Sequence, residues 1–256
     1  MQYSTEQIAA FVGSVVWPFF RIAGMIMVLP LFSALSVPPQ IRILLALVLA
    51  LMLGPQINQA PAVDPLSATA FLVTAQQVAI GAVMGFMVVL AFGALSIAGE
   101  GIAMSMGLGF AQMTDPQTGF SVPVISNYFN VVAALLFLAL NGHLALISLT
   151  VDSFRLLPIS DTGLTGSDLY AVLHWASQMY IGAVLVALPA FAALLTVNLG
   201  FGVITRAAPQ LNIFAVGFPA MILLGFGALI VMMPTIDSRF ASLLRNAYQM
   251  LGQVMS

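Results

Sequence analysis

Long apolar runs separated by short polar or proline-rich links organise the chain. Ser4 followed three residues later by Gln7 has the form of a capping box. The apolar run from about Ile8 to Leu29 then predicts a first helix, interrupted by Pro18 and Arg21. Pro30 and Val37-Pro38-Pro39 end it. A second segment, from about Ile41 to Leu53, begins with Arg42 and closes at Gly54-Pro55. At about 13 residues it falls short of the roughly 20 that a bilayer span needs, so it reads as a half-span or buried helix. A polar link from Asn58 to Ser67 leads to the longest run, about Phe71 to Ile97, which at about 1.5 Å per residue crosses a bilayer with length to spare. Gly81 and Gly85 give it a small-xxx-small spacing suited to a close helix neighbour, and Gly99-Glu100-Gly101 reads as its break.

The second half repeats the pattern. A span from about Tyr128 to Thr150 carries Asn141-Gly142-His143, and a water-compatible link runs from Asp152 to Ser167. A fifth helix is expected from Ser167 or Asp168 as N-cap to about Ile204, kinked at Pro189. After a polar turn from Arg206 to Asn212, a sixth span covers about Ile213 to Met233. Pro234 and Asp237 then open an amphipathic tail with Phe240, Leu243, Leu244 and Leu251 on one side. The expected fold is all-α, integral to a membrane or a membrane complex, with about six hydrophobic helical segments arranged as hairpins, some broken or shorter than a span. One continuous unit, residues 1–256, divides into N-terminal helices (1–97), a Gly/Pro-rich loop region (98–126), C-terminal helices (127–236) and the tail (237–256).

Composition narrows the function. Of 256 residues 61% are hydrophobic and 5% charged, against about a quarter charged in soluble domains. All six basic residues are arginines, the net charge is -2, and no basic patch exists to replace counterions on phosphates, which excludes nucleic acid as a partner. The absence of cysteine excludes disulfides and thiolate sites. The first residues lack a cleavable signal's positive region and small-residue site, so the first helix is expected to stay as an insertion signal. With six alternating spans and the N-terminus outside, inside loops hold two arginines and outside segments three, a distribution unlike that of a free-standing bundle.

One stretch fits neither helix nor hydrated loop. Gly107 to Pro123 holds three glycines and two prolines, yet also Leu108, Phe110, Met113 and Phe120. Apolar irregular backbone beside membrane-type helices needs protein around it, as a pore constriction or as a packed re-entrant connector. The gate candidates are Gly107, Leu108, Gly109, Phe110, Ala111, Met113, Asp115, Pro116 and Phe120. Met113 with the neighbouring apolar groups has the makings of a deformable seal, closed to ions by dewetting. Arg21, Arg42, Glu100, Asn141, His143, Arg155, Arg206 and Asn212 are candidate structural polar or ion-pair residues. Glu100 in particular calls for a buried ion pair, an arginine of another subunit being a candidate partner, with a gating role or plain interface exposure as its alternatives. Neither His143 nor His174 has metal-ligand company, Gly107-Leu108-Gly109 lacks the rest of a nucleotide loop, and no catalytic, cofactor or metal site is assigned. A stand-alone secondary transporter for a small solute is the alternative that broken helices also suit.

Ordered motifs make the sequence specific. They are Arg21-x-x-Gly24 with Pro30, Val37-Pro38-x-x-Ile41-Arg42, Ala98-Gly99-Glu100, and Gly107-Leu108-Gly109-Phe110-Ala111. Asp115-Pro116, Asn141-Gly142-His143, Ser153-Phe154 with Pro158, and Asn198-Leu199-Gly200 follow. Last come Ala207-Ala208-Pro209-Gln210-Leu211-Asn212-Ile213-Phe214 and Gly217-Phe218-Pro219. In these the chain resembles, over nearly its whole length, the FliR family of flagellar export-apparatus proteins, related to the equivalent subunit of virulence-type type III secretion systems. It departs at Ala220-Met221, where relatives often carry a lysine. The resemblance implies a non-enzymatic core subunit of a protein-export gate in the bacterial inner membrane, within the flagellar basal body and partly raised above the bilayer. It implies FliP-like and FliQ-like partners around a conduit for unfolded substrates, FlhB-like and FlhA-like export components nearby, and membrane lipid. In the family, the loop matching Gly107 to Ser121 projects into the conduit as a plug.

Overall fold

The structure, a computed structural model, describes residues 5–33, 37–57, 67–109, 124–160, 163–208 and 213–255. Regular structure among them is entirely helical. In chain order it comprises α1 (Thr5–Val28), α2 (Pro30–Ser33), α3 (Pro39–Leu53) with a 3-10 turn at Gly54–Gln56, α4 (Ala68–Ser105), and α5 (Val124–Ala139). Then follow α6 (Gly142–Leu156), α7 (Gly166–Trp175), α8 (Ser177–Ala207) and α9 (Ile213–Val254). The six apolar segments are α1, α3, α4, α5 with α6, α7 with α8, and α9. Among the described residues, three helical stretches are long and apolar enough to cross a membrane, 68–105, 166–207 and 216–254; the pair α5–α6 makes a fourth if a 64° bend is allowed.

The chain forms two compact units. The first comprises Met1–Leu90, Asn141–Ser177 and Leu244–Ser256; the second comprises Ala91–Leu140 and Gln178–Leu243.

In the first unit α1 lies against the start of α4 through glycines. A Cβ on Gly81 would collide with the Arg21 carbonyl oxygen, one on Gly85 would stand 2.7 Å from the Met25 oxygen, and one on Gly24 would stand 2.6 Å from the Val78 oxygen. The Gly81/Gly85 spacing thus does what its pattern predicts: without side chains the two backbones come into direct contact. Trp17, Ala70, Val73, Phe154 and Ile159 close an apolar cluster beside this crossing. Tyr248, near the end of α9, donates to the Gly142 carbonyl at 2.9 Å.

In the second unit the later part of α4 is largely buried, with Glu100 and Met104 exposed near its end. Phe92 meets Phe137 of α5 and Phe240 of α9 edge-on, at centroid distances of 5.7 and 5.5 Å. Ser126 of α5 donates to the Ser96 carbonyl at 2.8 Å.

Several expected boundaries move, each for a local reason. Gly99-Glu100-Gly101 does not break α4, which continues to Ser105. These glycines serve packing instead: a Cβ on Gly99 would stand 3.0 Å from the Ser126 Cα, and one on Gly101 would stand 2.7 Å from the Phe191 ring. The expected single span through Asn141 is two helices, because Asn141 adopts left-handed dihedrals (φ 53°, ψ 29°), a region asparagine tolerates better than most residues. The fifth helix starts two residues early. Thr165 is its N-cap in a full capping box with Asp168, and a break at Ala176 separates α7 from α8. Pro234 lies inside α9, so the expected tail is a continuation of that helix. Leu229, Met232, Ile236, Phe240, Leu244, Ala247 and Leu251 are buried at unbroken helical spacing across the proline, and tertiary burial overrides its local cost. Positions 97/98, 126/127 and 236/237 therefore fall within helices. The capping residue Ser4 lies outside the described residues.

Candidate functional site

The gate candidate begins where α4 ends. Gly107 takes a left-handed φ of 82°, its N–H donates to the Met104 carbonyl at 3.0 Å, and the Leu108 N–H donates to the Ala103 carbonyl at 3.0 Å. This is a Schellman termination, with glycine at the one position where a side chain is penalised. The Phe218 ring on α9 stands 3.3 Å from where a Cβ on Gly107 would be, and Gly225 packs directly on Met106. A cavity of about 720 Å³ opens beside this terminus, lined by Met104 to Gly107, by Asn198, Phe201 and Gly202 of α8, and by Gly217, Phe218 and Met221 of α9. Gly107, Leu108 and Gly109 are thereby placed at the head of the candidate stretch. Phe110, Ala111, Met113, Asp115, Pro116 and Phe120 lie outside the described residues.

The polar candidates separate. Arg21 is completely buried. Its Nε donates to Gln77 Oε1 at 2.8 Å, Nη1 to Ser153 Oγ at 3.0 Å and Nη2 to the Leu157 carbonyl at 2.9 Å. Its guanidinium carbon stands 4.1 Å above the Phe154 ring. The expected ion pair is replaced by neutral acceptors and an aromatic face, which satisfy a planar, multi-donor guanidinium in a way a lysine could not reproduce. Ser153-Phe154 thus acts on Arg21 as a unit. Gln77 was missed in the sequence; its signal was an amide set in the longest apolar run.

Arg155 does pair, with Asp152 at 3.9 Å on an exposed helical turn, a geometry that contributes little. Arg42 donates to the Val37 carbonyl at 2.9 Å and holds the entry to α3. Asn141 supplies the bend between α5 and α6, and His143 sits half-buried in the first turn of α6. Arg206 is exposed in the last turn of α8, where a cation complements the helix dipole. Glu100 is exposed and has no hydrogen-bond or ion-pair partner among the described residues. Asn212 lies outside the described residues. No group of three or more His, Cys, Asp or Glu capable of holding a metal occurs among the described residues.

Long apolar helices, a broken span and a cavity at a helix terminus define an α-helical membrane protein. Comparison with known proteins makes the assignment particular: the chain belongs to the bacterial export proteins, family 1, whose sequence model matches residues 12–247. It is similar to the flagellar biosynthetic protein FliR of Escherichia coli K12, 35% identical over 256 residues that cover 100% of this chain and 98% of that one. The protein of that name from Pectobacterium carotovorum is 33% identical, covering 100% and 98%, and that from Bacillus subtilis is 31% identical, covering 85% of each chain.

Proposed function

We propose that this chain is a non-enzymatic core subunit of the flagellar type III protein-export gate in the bacterial inner membrane. With FliP-like and FliQ-like partners it forms the conduit for unfolded export substrates, and FlhB-like and FlhA-like components supply the neighbouring steps. The stretch that follows Gly107 closes the conduit, an apolar seal that yields to a polypeptide.

The observation carrying this reading is α3. Its 15 residues reach about 22 Å, short of a hydrocarbon core of about 30 Å. Yet seven large apolar residues on it, from Ile41 to Met52, are 40–66% exposed. An apolar helix too short to span calls for protein around it, which a subunit of an assembly has and a stand-alone solute transporter lacks. At the other extreme, α4 and α9 reach about 57 and 63 Å, twice the bilayer core, which suits an assembly raised above the membrane.

Co-expression with the FliP-like and FliQ-like partners tests it. A defined multi-subunit particle containing this chain is the expected product. A stable monomer that transports a small solute in vesicles contradicts the proposal.

A further inference from the structure

Glu100 is the sole acid of α4, and it is exposed with no hydrogen bond or ion pair to any described residue. No arginine supplies its counter-charge: the six basic residues are all arginines, all six lie among the described residues, and none pairs with Glu100. A carboxylate on an apolar helix requires a cation, a hydrogen-bond donor or water. The flanking glycines fix its setting. Ser126 of α5 and Phe191 of α8 press on α4 at Gly99 and Gly101, so the backbone is gripped on both sides while the carboxylate stays open. One turn on, Met104 is 60% exposed and gives the same helical face an apolar contact at the rim of the cavity.

We propose that Glu100 is the docking point for a cationic side chain, an arginine or lysine, on a helix of a neighbouring gate subunit, with Met104 as the apolar contact beside it. This rests on the reading of the chain as one subunit of a multi-subunit gate. Charge complementarity carries it: an acid unpaired among the described residues, on a chain with no lysine and with none of its six arginines paired with it, fits a partner that brings the cation.

The test is recovery of the co-expressed particle with wild-type chain, Glu100→Gln and Glu100→Lys, alongside the amount of chain in the membrane fraction. Glu100→Gln is expected to lower particle recovery about thirtyfold at unchanged membrane content, because the partner's cation is left buried and unpaired. Glu100→Lys should lower it further and be rescued by a Lys→Glu or Arg→Glu change in a partner subunit. Wild-type recovery for both variants overturns the docking role, and if ion conductance changes at the same time the carboxylate lines the conduit instead. Loss of chain from the membrane with both variants, without rescue by any partner substitution, assigns Glu100 to folding and also overturns it. Failure of the wild-type chain to form a particle rejects the subunit reading itself, and the docking role with it.

Discussion

Two charges on apolar helices are handled in opposite ways. Arg21 on α1 is wrapped by Gln77, Ser153, the Leu157 carbonyl and the Phe154 ring, all from its own unit. Glu100 on α4 is held in place by glycine-mediated packing on both sides, yet its carboxylate has no partner among the described residues. A buried charge is tolerated when its hydrogen-bonding capacity is met, and its neighbours then depend on it. The first region is therefore closed within the chain, and the second is open among the described residues.

Breaking the closed region should have the largest effect. Gly81→Leu drives a side chain into the α1 backbone at Arg21 and is expected to destabilise by 3 kcal/mol or more, about the upper limit for overpacking. Loss of folded protein in detergent during thermal unfolding is the readout. Arg21→Met leaves Gln77 Oε1, Ser153 Oγ and the Leu157 carbonyl without their donor and should cost about 2–4 kcal/mol, whereas Arg155→Ala, on the exposed turn, should stay within about 0.5 kcal/mol. Equal effects from the two arginine variants would erase the distinction between a built charge site and a surface pair.

At the open region, Gly107→Ala forces an L-residue into a left-handed position beside Phe218. It should cost about 1–2 kcal/mol, read as lost helical protection of the last turn of α4 in hydrogen exchange. Thr165→Ala, which removes the cap of α7, should cost about 1 kcal/mol in the thermal-unfolding measurement.

The apolar segments were legible because period and length reveal membrane-type helices before any packing is known. The close approach at Gly81 and Gly85 was legible for the same reason. Glycine elsewhere was ambiguous: at Gly99 and Gly101 it accommodates neighbours, at Gly107 it ends the helix, and single-chain spacing does not separate the two uses. The sequence signal for the true end of α4 is the Gly107-Leu108 pair, since a Schellman cap places glycine just past the last turn. Pro234 misled because its local cost is visible in sequence, while the buried stripe from Leu229 to Leu251 becomes decisive only when followed across it. Arg21 revealed that it needed partners but not that they would be neutral, because Gln77 and Ser153 are 56 and 132 residues away.

The central claim is that the chain beyond Gly107 closes an export conduit, anchored by the capped terminus of α4. Single-channel conductance of the assembled gate, with Gly109 to Gly119 deleted and particle yield confirmed, tests it most directly. The account predicts a marked rise in ion leak through the resting gate. Unchanged conductance in a fully assembled particle would contradict it.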